Sequence, residues 1–166
     1  MINASTRRGP FQAKIGSGIT VEEFNKKISA GQMGHIGLSE SISMVFDTLG
    51  KKLEKYESDV QPVVADQTIK TDFVEVQPGR VKGLKQTARG YSEKGEFMSL
   101  QFIAALGLED DLDTVRIKGK PDLEVKLKGT HGDIATVAIV VNAVRNVQKA
   151  NPGLATMRDL PIVTCR

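Results

Sequence analysis

Strand-forming segments are clustered in the middle of this sequence, between regions with helical patterns. They run from Lys51 to about Leu127, and two long segments, Val81–Tyr91 and Phe97–Leu106, give the strongest signal. In the second of these, apolar residues alternate with polar ones, which is the two-residue period of a strand. Clustered strands flanked by helices predict an α+β fold with a mostly antiparallel or mixed sheet of long strands, packed against helices on one face.

Weaker strand signals surround this pair. They lie at Lys52–Ala65, Thr71–Val76, Thr114–Lys118 and Leu123–Leu127. Pro62 has no N–H to donate, so it predicts an edge strand or a bend in the first segment. The outer face of long strands in a small domain often packs against another subunit, and we therefore expect a homo-oligomer.

Three helices are predicted from start and stop signals. Thr20 and Glu23 form a Thr-x-x-Glu capping box for a helix from about Val21 to Ala30. Ser39 is the predicted cap of a second helix, which Gly50 closes. Residues 1–19 are predicted to be extended or looped, because Pro10 keeps Phe11 out of an early helix.

The last helix is predicted from about Asp133 to Lys149. Its apolar stripe is expected to lie in the core, and the stripe consists of Ile134, Val137, Ala138, Val141 and Val144. The closing segment, Leu154–Arg166, is expected to pack back on the sheet.

Composition excludes several classes of partner. The 166 residues fit one domain, with 40% hydrophobic and 26% charged residues and a net charge of +3 spread over both signs. There is no basic stripe interleaved with aromatic residues, so no nucleic-acid partner is expected. Without a long apolar run or an apolar leader, we expect no membrane association and a cytoplasmic location. The single cysteine, Cys165, is interpreted as incidental.

A basic, glycine-rich stretch carries the clearest candidate binding residues. These are Arg7, Arg8, Lys14, Ser17, Gly18 and Thr20. A glycine turn before a helix N-terminus leaves backbone N–H groups free beside a partial positive charge, which suits a carboxylate or phosphate. A solvated surface turn, in which the glycines serve only geometry, is the alternative that the local sequence leaves open.

Two histidines remain as weaker candidates. His35 lies in a glycine-rich loop, and His131 lies where a strand passes into the last helix. His131 could cap that helix, bond the backbone or face a pocket. Neither has acidic or cysteine neighbours spaced as metal ligands, so no metal is expected. Gly16-x-Gly18 lacks the third glycine of a dinucleotide fingerprint, so no cofactor is expected on this chain.

Two separated stretches together resemble the dihydrodipicolinate reductase superfamily. Ser17-Gly18-Ile19-Thr20, after a basic segment and before a helix, resembles the Pro-Ser-Gly-Thr motif of the reductases. Thr130–Asp133, the apolar helix and Pro152–Leu160 resemble their Thr-His, final helix and Gly-Leu-x-x-Met-x-Asp ending. Within that superfamily, Arg7–Gly18 and Gly34–Leu38 are similar to the 2,4-diaminopentanoate dehydrogenase family of NAD(P)-dependent amine dehydrogenases.

The resemblance covers nearly the whole chain but only the C-terminal half of such an enzyme. It implies that residues 1–166 are a single substrate-binding and oligomerising domain, like the C-terminal domain of the reductases, without the N-terminal Rossmann domain. Substrate-binding roles are then implied for Arg7, Arg8, Lys14, Ser17, Gly18, Thr20, His35 and His131. The reductases carry paired histidines and a lysine where this chain has arginines and Gln12, so the resemblance assigns no catalytic residue.

Two hypotheses about function result. The first is the substrate-binding half of an enzyme that oxidatively deaminates 2,4-diaminopentanoate, a small diamino acid, with NAD(P) held by the full-length protein. Alone, this half would be inactive, because hydride transfer needs both reactants held in contact. The second is a non-catalytic oligomerisation module with a vestigial anion site.

Overall fold

Two compact units make up this computed structural model, Met1–Asp111 and Leu112–Arg166. The structure describes residues 1–164, so Cys165 lies outside the described residues. Residues 1–164 form four helices together with mixed and antiparallel sheets, which confirms the predicted α+β class. The expectation of a single domain over residues 1–166 stays a prediction.

Four helices flank the strands. They are α1 (Gly9–Lys14), α2 (Val21–Ser29), α3 (Leu38–Thr48) and α4 (Gly132–Val147). The prediction of a loop over residues 1–19 is wrong at α1, because Pro10 occupies the first turn of this helix. In the first turn a backbone N–H has no acceptor within the helix, so a proline there costs the helix no hydrogen bond.

Local capping signals place the next two helices. The predicted capping box is confirmed at α2, where Thr20 and Glu23 each bond the backbone of the other. The predicted cap of α3 is wrong, because Gly37 precedes the helix and Ser39 lies inside its first turn. The Ser39 hydroxyl bonds the Glu40 carboxylate (2.8 Å) and so leaves the helix amides to other partners.

The strands form one large sheet and two hairpins. Their bounds are β1 (Ile2–Asn3), β2 (Lys55–Val64), β3 (Ile69–Lys70), β4 (Glu75–Val76), β5 (Val81–Ser92), β6 (Gly95–Ala105), β7 (Leu112–Ile117) and β8 (Leu123–Lys128). The large sheet has the order β1-β6-β5-β2, antiparallel except for the parallel pair β1–β6. The long pair β5–β6 is confirmed. β2 is an edge strand, as Pro62 predicted.

The predicted strand Thr71–Val76 is wrong, since most of this segment is the turn between β3 and β4. The Thr71 hydroxyl accepts hydrogen bonds from the amides of Phe73 (3.2 Å) and Val74 (3.1 Å). A threonine that bonds the backbone two and three residues ahead favours a turn over a strand.

The core of the first unit lies between the large sheet and helices α1–α3. One cluster surrounds Phe24 and Leu84, and the other places Ile42 and Phe46 of α3 against Ala88 of β5. Of these, the side chains at most 1% exposed are Phe24, Ile42, Phe46 and Ala88. Leu84 and Ala88 are four residues apart on β5, so their side chains lie on the same face of the sheet. The helices therefore cover one face, as predicted.

The second unit contains the β7–β8 hairpin and α4. The hairpin itself is confirmed, but the prediction that the α4 stripe is core is wrong, because Ile134 is 70% and Val137 64% exposed in this chain. The expectation that the closing segment packs on a sheet is also wrong for the described residues 154–164, where Leu154 is 100% and Ile162 89% exposed. Among residues 1–164, no helix combines the length and apolar character that crossing a bilayer requires.

Candidate functional site

The glycine turn between α1 and α2 uses its amides within the protein. Gly16 and Gly18 have φ values of +82° and +91°, which favour glycine and reverse the chain between the helices. The Ser17 amide donates to a carbonyl of α1 (3.1 Å), and the Gly18 amide donates to the Val81 carbonyl (2.8 Å). The Ser17 hydroxyl is buried and has no hydrogen-bond partner among residues 1–164.

The N-terminus of α2 is occupied in the same way. The Thr20 amide donates to the Glu23 carboxylate (2.9 Å), and the Glu23 amide donates to the Thr20 hydroxyl (3.1 Å). A hydrogen bond from its own backbone amide, joined by one from Thr20, lowers the pKa of Glu22. Two carboxylates therefore already occupy the positive end of this helix. The amides of Ser17, Gly18, Thr20 and Glu23 are therefore not free for an anion, and the predicted binding roles of Ser17, Gly18 and Thr20 stay predictions.

Arg7 is part of a buried ion pair. Its guanidinium is 5% exposed and donates to Asp111 Oδ2 (3.1 Å), while Asp111 Oδ1 accepts from the Asn3 amide (2.7 Å). The pair fixes the N-terminal segment to Asp111 at the end of the first unit. Arg8 is exposed at the N-cap of α1. Arg7 is therefore buried and paired, whereas Arg8 is exposed to solvent.

Lys14 and His35 line one cavity of the first unit. Its volume is about 210 Å³. The lining residues are Phe11, Lys14, Ile15, Gly34, His35, Ile36, Gly37, Leu84 and Phe102. Helix α1 supplies Lys14, the loop before α3 supplies His35, and Leu84 and Phe102 come from β5 and β6. Two of the eight candidate residues are therefore brought together over an apolar surface.

Gln86 of β5 holds the loop that carries His35. This side chain is 6% exposed, accepts from the His35 amide (2.6 Å) and donates to the His35 carbonyl (3.2 Å). The ring of His35 lies against Phe102, with centroids 4.6 Å apart. The sequence did not lead us to predict a role for Gln86. A glutamine between Leu84 and Ala88, on the helix-facing side of β5, was the one indication, because a buried amide needs hydrogen-bond partners.

His131 belongs to the second unit. It precedes α4 at the N-cap position, its side chain does not cap the helix, and its Nδ1 is buried without a hydrogen-bond partner among residues 1–164. Along α4 runs an open groove of about 580 Å³, lined by Asp133, Ile134, Val137, Ala138, Val141 and Asn142. Within the described part of the chain, no three histidine, cysteine or carboxylate side chains are grouped as a metal would need.

The sheet face opposite the helices carries a polar network. Lys55 and Tyr91 both bond Glu57, with the Tyr91 hydroxyl 2.7 Å from its carboxylate. These bonds lower the pKa of Glu57, and the bond to Glu57 is the first cause of the raised pKa of Tyr91. Arg89 of β5 pairs with Glu96 of the neighbouring strand β6 (3.5 Å). This face is thus ionic rather than apolar.

Comparison with solved structures defines the class of fold. The amine dehydrogenase from Mycobacterium smegmatis matches with a TM-score of 0.86 over 99% of this chain and 50% of that one, at 21% sequence identity. The fold is therefore that of half of an amine dehydrogenase chain.

Sequence comparison is more specific. Residues 8–166 match the family model of the 2,4-diaminopentanoate dehydrogenase C-terminal domain, and the chain belongs to this family. The 2,4-diaminopentanoate dehydrogenase of Acetoanaerobium sticklandii is 35% identical over 97% of this chain and 48% of its own length. The chain spans about half the length of the relatives that it matches.

Proposed function

We propose that this chain is the substrate-binding half of an NAD(P)-dependent amine dehydrogenase that oxidatively deaminates 2,4-diaminopentanoate. Membership of the dehydrogenase family supports the reaction class. The observation that carries the substrate-binding role is the cavity of about 210 Å³ in which Lys14 and His35 meet apolar side chains. An amphiphilic amino acid fits such a lining, because its charged group and its carbon chain each find matching neighbours.

The nicotinamide is not assigned to this chain. Its glycine turn has no free amides for a pyrophosphate, since Ser17 and Gly18 bond carbonyls of the protein. The described strands form antiparallel pairs apart from β1–β6, rather than the parallel sheet of a dinucleotide fold. The residues present do not fit the cofactor, so we expect this half to bind substrate without turning it over.

Titration calorimetry with 2,4-diaminopentanoate tests the proposal. We expect saturable binding that Lys14→Met weakens by about tenfold or more, because a charge-assisted contact contributes roughly 1.5–3 kcal/mol. Lys27→Met, on the exposed surface of α2, is the matched control and leaves the affinity unchanged. With NAD(P)⁺ added, the chain alone forms no reduced cofactor.

Two results would overturn the proposal. Absence of binding, or binding that Lys14→Met does not weaken, refutes the substrate site. Rapid turnover by this chain alone refutes the claim that it is one half of the catalytic unit.

A second candidate function is an oligomerisation module without a ligand. The ionic sheet face of Lys55, Glu57 and Arg89 favours it, since long strands there present paired charges that a second copy could complement. Light scattering separates the two candidates. A multimer that assembles in low salt, dissociates in high salt and ignores 2,4-diaminopentanoate supports the module.

A further inference from the structure

We propose that the cavity of Lys14 and His35 takes the carboxylate end of the substrate, and that Gln86 is the positioning residue that holds His35 for this contact. The inference rests on the proposed function and adds the orientation of the substrate. It also moves the carboxylate away from the glycine turn, whose amides are occupied.

The side chain of Gln86 holds the backbone of His35 through hydrogen bonds. Its Oε1 accepts from the His35 amide (2.6 Å), and its Nε2 donates to the His35 carbonyl (3.2 Å) and to the Ser58 hydroxyl (3.0 Å). The side chain thus pairs with one residue of the loop as a neighbouring strand would. A buried amide with all these partners satisfied is rigid, because each alternative position leaves a polar group unpaired.

The ring of His35 is fixed in tautomer as well as in place. The Gly37 amide donates to Nδ1 (3.1 Å), so Nδ1 carries a lone pair and the proton of the neutral ring is on Nε2. Phe102 supports one side of the ring (centroids 4.6 Å apart). A side-chain carbon at Gly37 would lie 3.1 Å from His35 Cε1, so a glycine keeps this approach open.

The polar groups that side chains bring to this cavity are donors. Lys14 offers an ammonium group, and His35 offers Nε2–H. The other lining side chains are apolar or absent, and none is a carboxylate. Glu40, the acidic residue that follows in α3, is not in the lining. A hydrogen bond from its own backbone amide, the bond from the Ser39 hydroxyl (2.8 Å) and, least of the three, the nearby His35 lower the pKa of this carboxyl group. A cavity whose polar side chains are two donors stabilises an anion and repels an ammonium group. The amino groups of the substrate therefore point away from this cavity.

The tautomer of His35 is measured directly by long-range ¹H–¹⁵N NMR. The chain has two histidines, and His131→Gln assigns the remaining signal to His35. We expect the Nε2–H tautomer for the neutral ring, and a mixture of the two tautomers in Gln86→Met, where the loop is released. Gln101→Met, on an exposed position of β6, is the matched control and leaves the signal unchanged. If His35 carries its proton on Nδ1 in the unaltered chain, the arrangement is refuted, whether or not Gln86→Met folds.

Two single-group probes test the orientation by calorimetry. We expect pentanoate to compete with 2,4-diaminopentanoate and pentylamine to bind at least about tenfold more weakly, with Gln86→Met costing pentanoate about tenfold. Equal binding of the amine and the acid, or pentanoate affinity unchanged by Gln86→Met, overturns this inference while the substrate site stands. If 2,4-diaminopentanoate itself does not bind, the proposed function fails, and the tautomer still decides the role of Gln86.

Discussion

Gln12 is the buried polar residue whose removal should destabilise the first unit most clearly. It is 1% exposed within α1. Its Nε2 donates to the carbonyls of Arg7 (2.9 Å) and Ala4 (3.1 Å), and its Oε1 accepts from the Thr71 hydroxyl (2.8 Å). One side chain thus connects the N-terminal segment, α1 and the β3–β4 turn. We therefore choose Gln12→Met, which keeps the size of the side chain and removes these hydrogen bonds.

The expected loss follows from the partners that remain. Each of the three hydrogen bonds contributes about 1 kcal/mol. The Ala4 carbonyl keeps the Arg7 amide as a donor (3.1 Å), and Thr71 keeps its contacts with Val74, so neither is left fully unpaired. The free energy of unfolding should fall by about 3 kcal/mol, which for a chain of this size corresponds to a Tm lower by roughly 6–12 °C.

Thermal and urea unfolding followed by circular dichroism measure this change. Gln67→Met replaces an exposed glutamine and serves as the control, with an expected change within about 0.5 kcal/mol. A loss below about 1 kcal/mol for Gln12→Met would refute the reasoning, because it would mean that water or a shifted neighbour replaces all three bonds.

Three further substitutions probe other contacts. Asp111→Asn removes the charge that pairs with Arg7 (5% exposed) and should cost about 3 kcal/mol, measured by urea unfolding. Gly83→Ala places a methyl group against backbone of β6 and should destabilise the large sheet by several kcal/mol, at least about 3, in the same assay. Glu57→Gln removes the carboxylate that accepts from Tyr91, so the pKa of the Tyr91 hydroxyl should fall towards its ordinary value in an NMR titration.

Each of these has a matched control. Asp72→Asn, Gly119→Ala and Glu75→Gln make the same chemical changes at exposed positions and should have little effect. If Asp72→Asn costs as much as Asp111→Asn, general charge rather than the ion pair explains the loss. Tolerance of Gly83→Ala would mean that β5 and β6 can separate, and an unmoved Tyr91 titration would mean that Glu57 does not bond it.

Features of the fold that arise from neighbouring residues were predictable from the sequence. The capping box of Thr20 and Glu23 spans four residues, so its partners are present in the local sequence. The long pair β5–β6 was predictable because helices cover one face of it. Burial of one face favours apolar side chains at every second position of both strands. Pro62 likewise marked β2 as an edge strand.

Features that depend on distant partners were not predictable. The amide of Gly18 bonds Val81, more than sixty residues away, so the sequence could not show that the turn was occupied. Gln86 and His35 meet through a sheet and a loop that are far apart in the chain. The apolar stripe of α4 has the same periodicity whether or not another surface covers it, so the pattern alone could not tell burial from exposure.

The β7–β8 hairpin is a two-stranded ribbon in which Val115, Val125 and Leu127 are 55–57% exposed, so little apolar contact opposes its opening. Two-stranded ribbons of this kind are marginal by themselves in water. Its backbone amides should exchange with deuterium long before those of β5, which lies between two neighbouring strands and under a layer of helices. In this chain, solvent and proteases would therefore reach the backbone of residues 112–128 before that of β5.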